Sequence, residues 1–301
     1  MAWTLVLGSI VGGIYFLNPA VALLGGLVTR LCLDINPVAS SGKLGKLSLQ
    51  TAIVILGFTL GFDRLISVSA DYGLVVAAYV VGTLVLGYVL LRLLRTNEKE
   101  GTLLSAGTAI CGGTAIATLS PLVDAEPHQF AVATALVFLL NVVALFSFPY
   151  IGHWLEMSQE TFGAWVALAI HDTSSVVATA ALYGQEAQEV ATTVKLGRTL
   201  WLIPLALLAS IFYQRASTKV RVPRFVLLFI GAAVVSGFLP ISPEIAGGLG
   251  LLSKVLLVIA LGMIGLEINR TTLSQLSWRS VAFAAGLWIL VVPFALLLVS
   301  L

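Results

Sequence analysis

The chain has 301 residues, of which 59% are hydrophobic and only 10% are charged, and its mean hydropathy is +1.04. Soluble domains carry roughly 25% charged residues, so this composition excludes an ordinary soluble protein and indicates an integral membrane protein. The net charge of +2 gives no indication of nucleic acid binding, and two cysteines exclude a disulfide framework.

Apolar stretches of about 16 to 25 residues recur along the chain, and each can cross a hydrocarbon core about 30 Å thick as a helix. The runs lack the alternation of a transmembrane barrel, which predicts an all-α fold. The first two spans flank Asn18-Pro19 and are short, so they are either a helical hairpin or one kinked span, and the total is eleven or ten. The predicted spans are residues 2–17, 20–33, 49–64, 72–94, 101–123, 128–151, 160–184, 189–213, 223–240, 248–268 and 279–300.

The distribution of basic residues predicts the orientation of these spans. With a cytoplasmic N-terminus, twelve of the sixteen Lys and Arg residues fall at cytoplasmic ends and loops, as the positive-inside rule requires. These residues are Arg30, Lys43, Lys46, Arg92, Arg95, Lys99, Arg215, Lys219, Arg221, Arg224, Arg270 and Arg279. The arrangement with eleven spans therefore places the C-terminus outside.

Small and hydroxyl residues interrupt one apolar span in the stretch GTAICGGTAIATLSP, residues 107–121. A glycine costs about 1 kcal/mol relative to alanine inside a helix, so the adjacent Gly112 and Gly113 weaken the helix in mid-membrane. The glycines either let another helix approach closely or allow the helix to break, leaving backbone groups beside a cavity or a solute. Their adjacency favours the broken helix. The candidate binding residues here are Cys111, Gly112, Gly113, Thr114 and Ala115.

A second polar cluster lies half-way through a later span, in IHDTSSVVATAALYG, residues 170–184. A charge at the bilayer centre costs upward of about 2.5 kcal/mol, so the acidic and imidazole groups must face a cavity or a partner. Asp, Ser and Thr also cap helix N-termini, so we expect one half-helix to end near Ile170 and another, with an anion-attracting N-terminus, to begin at Val176. The alternative is a loop without a role in binding. The candidate binding residues are His171, Asp172, Thr173, Ser174 and Ser175.

Three further polar side chains occur inside apolar spans. Lys195 and Arg198 are three residues apart and therefore share one helix face. They either extend to the lipid headgroups or face inward, where they would supply positive charge for an anionic solute or pair with Asp172. Asn141 is a candidate polar contact.

The chain contains an internal resemblance between residues 49–64 and 251–270, which share a Leu-Gly-Phe or Leu-Gly-Met element. In the predicted topology the two segments run in opposite directions, and inverted repeats are typical of secondary transporters. Similar composition alone is the other explanation. We therefore predict a single transmembrane domain, residues 1–301, with approximate repeat halves 1–151 and 160–301.

Several function classes lack visible motifs. The sequence has no HExxH, CxxC, GxSxG or GxxxxGK[ST], so we expect neither an enzyme nor an ATP-driven pump. A channel would need a repeated pore motif or a ring of charges, and neither is apparent.

The two interrupted stretches resemble those of the YeiH-like family of bacterial inner-membrane proteins, usually labelled sulfate exporters. The resemblance is carried by ICGGTAIATLSPLVDA at residues 110–125, by IHDTSSVVATAALYG, and by the following VKLGRTLWLIPLALL. The family commonly has His-Glu where this chain has His171-Asp172. The resemblance implies a fold with inverted repeats and two discontinuous helices, an inner-membrane location and, as in many such transporters, a homodimer.

These observations predict a secondary transporter of a small anion, such as sulfate, sulfite or a small organic acid, that works by alternating access. Coupling is expected through H⁺ at His171 or Asp172, or through Na⁺ near Thr114, Asp172 and Ser174. No other cofactor is expected, and the remaining partner is the lipid bilayer. A membrane scaffold or receptor without transport activity is the alternative.

Overall fold

A computed structural model describes residues 2–15, 19–33, 36–60, 62–213, 224–239, 241–267, 270–274 and 276–301. These residues form helices and connecting turns, with no strand in the ranges just given. The helices, in chain order, are α1 Ala2–Tyr15, α2 Pro19–Leu33, α3 Ser41–Leu60, α4 Phe62–Leu94, α5 Glu98–Ala109, α6 Gly113–Leu119, α7 Pro127–Trp154, α8 Gln159–Ala169, α9 Thr173–Tyr183, α10 Gln185–Leu200, α11 Leu202–Phe212, α12 Arg224–Phe238, α13 Pro243–Gly265, α14 Arg270–Ser274 and α15 Trp278–Val299. Arg215, Lys219 and Arg221, which we used to predict the orientation, lie outside the described residues.

Five stretches of the described chain are long enough and apolar enough to cross a membrane. The protein is therefore an all-α polytopic membrane protein, as the composition predicts. The five stretches are Phe62–Leu94, Pro127–Trp154, Gln185–Ala209, Glu244–Gly265 and Trp278–Val299. Shorter apolar helices accompany them, and the total of ten or eleven spans stays a prediction.

The chain divides into two compact units. Unit 1 comprises Met1–Ser67 and Pro223–Thr271, and unit 2 comprises Val68–Val222 and Thr272–Leu301. Each unit therefore takes segments from both predicted halves of the chain. The halves themselves, 1–151 and 160–301, stay a prediction.

Unit 1 is organised around α13, which packs against α2 and α3. The hydroxyl of Ser253 in α13 donates to the carbonyl of Ala52 in α3 at 2.9 Å, and the hydroxyl of Ser41, at the start of α3, donates to Glu267, just after α13. Ser41, at the start of α3, contacts a residue beyond the end of α13, whereas Ala52, further along α3, contacts a residue nearer the start of α13. The two helices are therefore antiparallel. The two mutually similar segments thus run in opposite directions, as predicted.

Unit 2 is organised around α10, which packs against α8 and α9. Its core contains a stack of three aromatic rings, in which Phe148 of α7 lies 4.5 Å from Trp165 of α8 and 5.7 Å from Trp288 of α15, centroid to centroid. The indole nitrogen of Trp165 donates to the carbonyl of Val292 at 3.1 Å. This stack fixes the positions of α7, α8 and α15.

The structure differs from the predicted spans at α4, which continues through residues 65–71, where we expected a connecting loop. The segment contains no proline, so nothing in the backbone ends the helix there. The predicted spans 101–123 and 160–184 are each divided into two helices, α5 and α6 in one and α8 and α9 in the other. Both predicted interruptions are therefore confirmed.

Close packing at Gly57 gives a first test. A Cβ at this position would lie 2.6 Å from the carbonyl oxygen of Phe229 in α12, whereas a Cβ at Gly250 in α13 would meet nothing within 4 Å. We expect Gly57→Ala to lower the free energy of unfolding by about 1 to 3 kcal/mol, because backbone has to shift. Gly250→Ala should leave it unchanged or raise it by up to about 1 kcal/mol. Thermal unfolding in detergent micelles measures both, and equal melting temperatures would contradict the packing of α3 on α12.

Candidate binding site in unit 2

The first interruption is made by Gly112. Helix α5 ends at Ala109, and α6 begins at Gly113. Gly112 between them has φ +62° and ψ −123°, a backbone conformation that residues other than glycine rarely adopt. Its N–H donates to the carbonyl of Gly107 at 2.9 Å, which closes the last turn of α5. The two adjacent glycines therefore have different roles, since Gly112 has a positive φ and Gly113 does not.

The second interruption is made by Asp172, which caps the N-terminus of α9. Helix α8 ends at Ala169, Ile170 and Asp172 are extended, and α9 begins at Thr173. The Asp172 carboxylate accepts the backbone N–H groups of Ser174 at 2.6 Å and Ser175 at 3.1 Å. The end of the first half-helix agrees with the sequence prediction. The predicted start at Val176 is wrong by three residues, because the cap is the aspartate and not the serines that follow it.

The two interruptions meet. A Cβ at Gly112 would lie 3.4 Å from both the Cβ and the backbone nitrogen of Asp172. The ammonium of Lys195 donates to the carbonyl of Ile110 at 3.2 Å and to that of Ile170 at 2.8 Å, so one side chain of α10 joins both chain breaks. The structure thus brings the two predicted stretches into direct contact.

Arg198 secures the same two helix ends one turn further along α10. The guanidinium is fully buried and donates at up to 3.2 Å to carbonyl groups that α5 and α8 leave without helical partners. The carbonyls are those of Thr108, Ala109, Ala167, Leu168 and Ile170. Positive charge at a helix C-terminus is favourable, because the helix dipole places about half a negative charge there.

Burial settles the alternatives left open for Lys195 and Arg198. Both side chains have no exposed surface, so extension to the lipid headgroups is wrong. They face inward, where backbone carbonyls are their hydrogen-bond acceptors. Neither forms an ion pair with Asp172 within the described residues, because that carboxylate is surrounded by other donors.

Asn141 of α7 holds the second interruption in place. Its amide nitrogen donates to Asp172 Oδ2 at 2.6 Å, and its oxygen accepts the backbone N–H of His171 at 3.1 Å. The same oxygen lies 2.9 Å from His171 Nδ1. One buried amide therefore orients both titratable groups of this stretch, a larger role than the single polar contact that we predicted.

The Asp172 carboxylate is saturated with donors. In addition to the two backbone N–H groups and Asn141, it accepts the hydroxyls of Ser175, at 2.7 Å, and of Ser174. These serine hydroxyls are thus committed to the aspartate in this conformation. A solute or Na⁺ that used them would have to displace contacts to Asp172.

The remaining predicted residues differ in exposure. Cys111 and Ala115 are buried, Gly113 and Thr173 are half-buried, and Thr114 is exposed. The hydroxyl of Thr114 thus does not share the burial of Asp172 and Ser174, the other two candidate Na⁺ ligands. No group of three or more His, Cys, Asp and Glu suited to a metal ion occurs in the part of the chain that the structure describes.

Two aromatic residues that the sequence analysis missed complete the surroundings. Arg198 lies over the ring of Tyr79 in α4, 4.7 Å from its centroid, a distance suited to a cation–π contact. The indole nitrogen of Trp288 donates to the carbonyl of Ala169 at 3.0 Å, the last residue of α8. A Tyr or Trp inside an apolar span is only a weak indication of such a contact in the sequence. The backbone carbonyls that these residues contact cannot be recognised from the sequence at all.

The conformation of Gly112 gives a test with a neighbouring control. Gly112→Ala forces a side chain into a disfavoured backbone conformation, 3.2 Å from Val137, and should destabilise the fold by about 1 to 3 kcal/mol. Gly113→Ala meets only Phe138 at 3.9 Å and should be tolerated. Thermal unfolding distinguishes the two variants, and equal stability would contradict the break at Gly112.

The role of Arg198 gives a second test. Arg198→Met keeps an apolar side chain but removes every donor to the α5 and α8 carbonyls, so we expect a loss of at least about 3 kcal/mol in stability. Arg92→Met, at an exposed arginine over Tyr88 in α4, should change stability by less than about 0.5 kcal/mol. The measurement is the melting temperature of each purified variant, and a stable Arg198→Met protein would exclude the anchoring role.

Comparison with known proteins identifies the family. The family model described as Conserved hypothetical protein 698 matches residues 13–284. A UPF0324 membrane protein of Porphyromonas gingivalis is 41% identical over 95% of this chain and 89% of its own length. Others of the same name are 41% identical in Vibrio parahaemolyticus, over 85% of this chain and 83% of the relative, and 38% identical in Geobacter sulfurreducens, over 95% and 92%. No solved structure matches the chain. The chain therefore belongs to the UPF0324 membrane protein family, to which the YeiH-like resemblance pointed.

Proposed function

We propose that the protein is a secondary active transporter of a small anion, which binds where the two interrupted helices of unit 2 meet. The observation that carries the proposal is the buried charge at this point. Lys195, Arg198 and Asp172 are all buried there, two cations against one anion.

The helix ends do not remove this excess. The C-terminal ends of α5 and α8 each contribute about half a negative charge, and the N-terminal ends of α6 and α9 each contribute about half a positive charge. The four contributions cancel, so about one positive charge is left without a partner among the described residues. The other buried acidic residue in the described part of unit 2, Glu100, lies in the first turn of α5, roughly 15 Å along the helix from Ile110 at 1.5 Å per residue.

An unpaired charge inside a membrane protein is unfavourable, and buried charges are normally paired. A bound anion would supply the missing partner. Charged groups inside membrane spans also mark the paths of solutes and ions, which supports transport over a purely structural role. Sulfate, sulfite and small organic acids are the candidate solutes.

Interrupted helices that meet are the usual binding sites of secondary transporters. We infer that unit 2 carries the solute and that its movement relative to unit 1 gives alternating access. The division of the chain into two compact units supports this assignment of a moving and a static part.

The remaining features of the proposal concern energy and location. H⁺ or Na⁺ supplies the driving force, and Asp172 with its serine partners is the group that senses the coupling ion. The protein functions without an enzymatic reaction or another cofactor, in the bacterial inner membrane, with a cytoplasmic N-terminus and as a homodimer. The distribution of Lys and Arg supports the orientation.

Uptake into proteoliposomes tests the function. Labelled sulfate, sulfite and acetate are supplied with a pH gradient, with a Na⁺ gradient, or with neither. We expect at least one of these anions to accumulate above the protein-free control only when a gradient is present. Stabilisation by an anion without uptake would indicate a receptor, and the absence of both effects would contradict the proposal.

Replacement of Asp172 separates coupling from folding. Asp172→Asn keeps the shape of the cap but removes the charge, so gradient-driven uptake should fall to the protein-free level while the protein still inserts. Anion affinity should not weaken, since the variant has one negative charge fewer near the site. Asp71→Asn, at an exposed position of α4, is the control and should retain uptake. Unchanged uptake by Asp172→Asn would exclude its role in coupling.

A further inference from the structure

The imidazole of His171 has a defined hydrogen-bonding state. Asn141 Oδ1 accepts the backbone N–H of His171, and because a backbone N–H can only donate, this contact fixes which end of the amide faces the histidine. His171 Nδ1 lies 2.9 Å from the same oxygen and therefore has to donate to it. The hydrogen of a neutral imidazole is thus on Nδ1, and Nε2 carries a lone pair.

The charges around the imidazole favour its neutral form. Lys195 and Arg198, on α10, both donate to the carbonyl of Ile170, the residue that precedes His171. Two buried cations so close to the ring disfavour a third positive charge. The negative charge of Asp172 is already surrounded by five donors, two backbone N–H groups and three side chains.

Nε2 of His171 has no hydrogen-bond partner among the described residues, although the side chain is 99% buried. An acceptor left unsatisfied in the interior is unfavourable, and each such group in a native structure calls for a donor. Seven other buried side-chain atoms of the described chain also have no partner, but Nε2 is the one that lies on the interrupted stretch itself, where water or a bound solute could donate to it. The site thus offers an incoming solute a hydrogen-bond acceptor beside about one unpaired positive charge.

We propose that His171 Nε2 accepts a hydrogen bond from the transported solute, which is therefore a small monoanion that carries its own hydroxyl group. The inference rests on the proposed function and narrows its substrate class. A single negative charge balances the excess positive charge, and the hydroxyl satisfies the imidazole. Nε2 is closed off in this conformation, so the solute reaches it in another state of the transport cycle.

Paired anions that differ by one hydroxyl test the inference. Glycolate is compared with acetate, and 2-hydroxyethanesulfonate with ethanesulfonate, all as potassium salts, by calorimetric binding to the full-length protein in detergent. We expect the hydroxylated member of at least one pair to bind at least about tenfold more tightly, since its partner leaves Nε2 unsatisfied. In His171→Phe, which lacks the acceptor, this ratio should fall to about one. His128→Phe, at the exposed start of α7, should keep the wild-type ratio.

The outcomes separate the inference from the function. Equal binding within both pairs in the wild type would mean that water satisfies Nε2, which overturns the inference and leaves anion transport intact. Acetate binding that strengthens with falling pH until it equals glycolate binding would place a proton on Nε2 and also overturn it. Binding or transport of sulfate or sulfite with none of the four anions bound would overturn the inference alone. If sulfate, sulfite and the four anions all fail to bind and to be transported, the proposed function itself is contradicted.

A spectroscopic measurement covers the case in which His171→Phe does not fold. The chain has three histidines, so ¹⁵N-histidine spectra of the wild type can be assigned with His128 and His153 variants. We expect His171 to show the Nδ1–H tautomer, with an Nε2 resonance that shifts on addition of glycolate and not of acetate. The opposite tautomer, or equal shifts, would overturn the inference.

Discussion

A helix that stops inside a membrane leaves carbonyl groups without partners, and the arrangement of unit 2 follows from the way these groups are satisfied. Lys195 and Arg198 donate to the last carbonyls of both α5 and α8. Because both cations belong to one helix, α10 fixes the two ends relative to each other. The two interruptions therefore share one set of donors, and either end loses them if it moves away from α10.

Side chains of opposite charge lie at the opposite ends of the interrupted helices. The basic side chains lie at the C-terminal ends of α5 and α8, whereas Asp172 caps α9 and lies against Gly112 before α6. This distribution matches the helix dipoles at the ends of α5 and α8 and at the start of α9. It also leaves one cation in excess, because one aspartate is the only buried anion at this junction among the described residues. The feature that stabilises the backbone is thus also the feature on which the proposed anion site depends.

Much of the fold could be predicted from local sequence, while the connections of the site could not. Adjacent glycines at 112 and 113 and the polar run from His171 to Ser175 indicate broken helices, because propensity and burial costs act locally. The partners of Arg198 are backbone carbonyls, which every residue has, so no sequence pattern reveals them. The roles of Asn141 and Tyr79 depend on which helices are neighbours. That information comes from tertiary packing and not from a single segment.

Close glycine contacts occur in both units, whereas the buried charged groups of the described chain lie in unit 2. In unit 1, α3 and α13 run antiparallel with a glycine-mediated approach of α3 to α12, and the contact at Gly57 leaves no space for a side chain. In unit 2, buried ionic and amide groups join the interrupted helices. Close packing of small residues resists rearrangement, because backbone contacts change only if whole helices separate. Hydrogen bonds to a charged side chain can instead be exchanged for bonds to a solute at little net change in free energy. Unit 2 has such a close contact as well, since a Cβ at Gly163 in α8 would lie 2.5 Å from the carbonyl oxygen of Ala187 in α10. The exchange of partners that the proposed function requires is therefore expected at the buried ionic and amide groups and not at the glycine contacts.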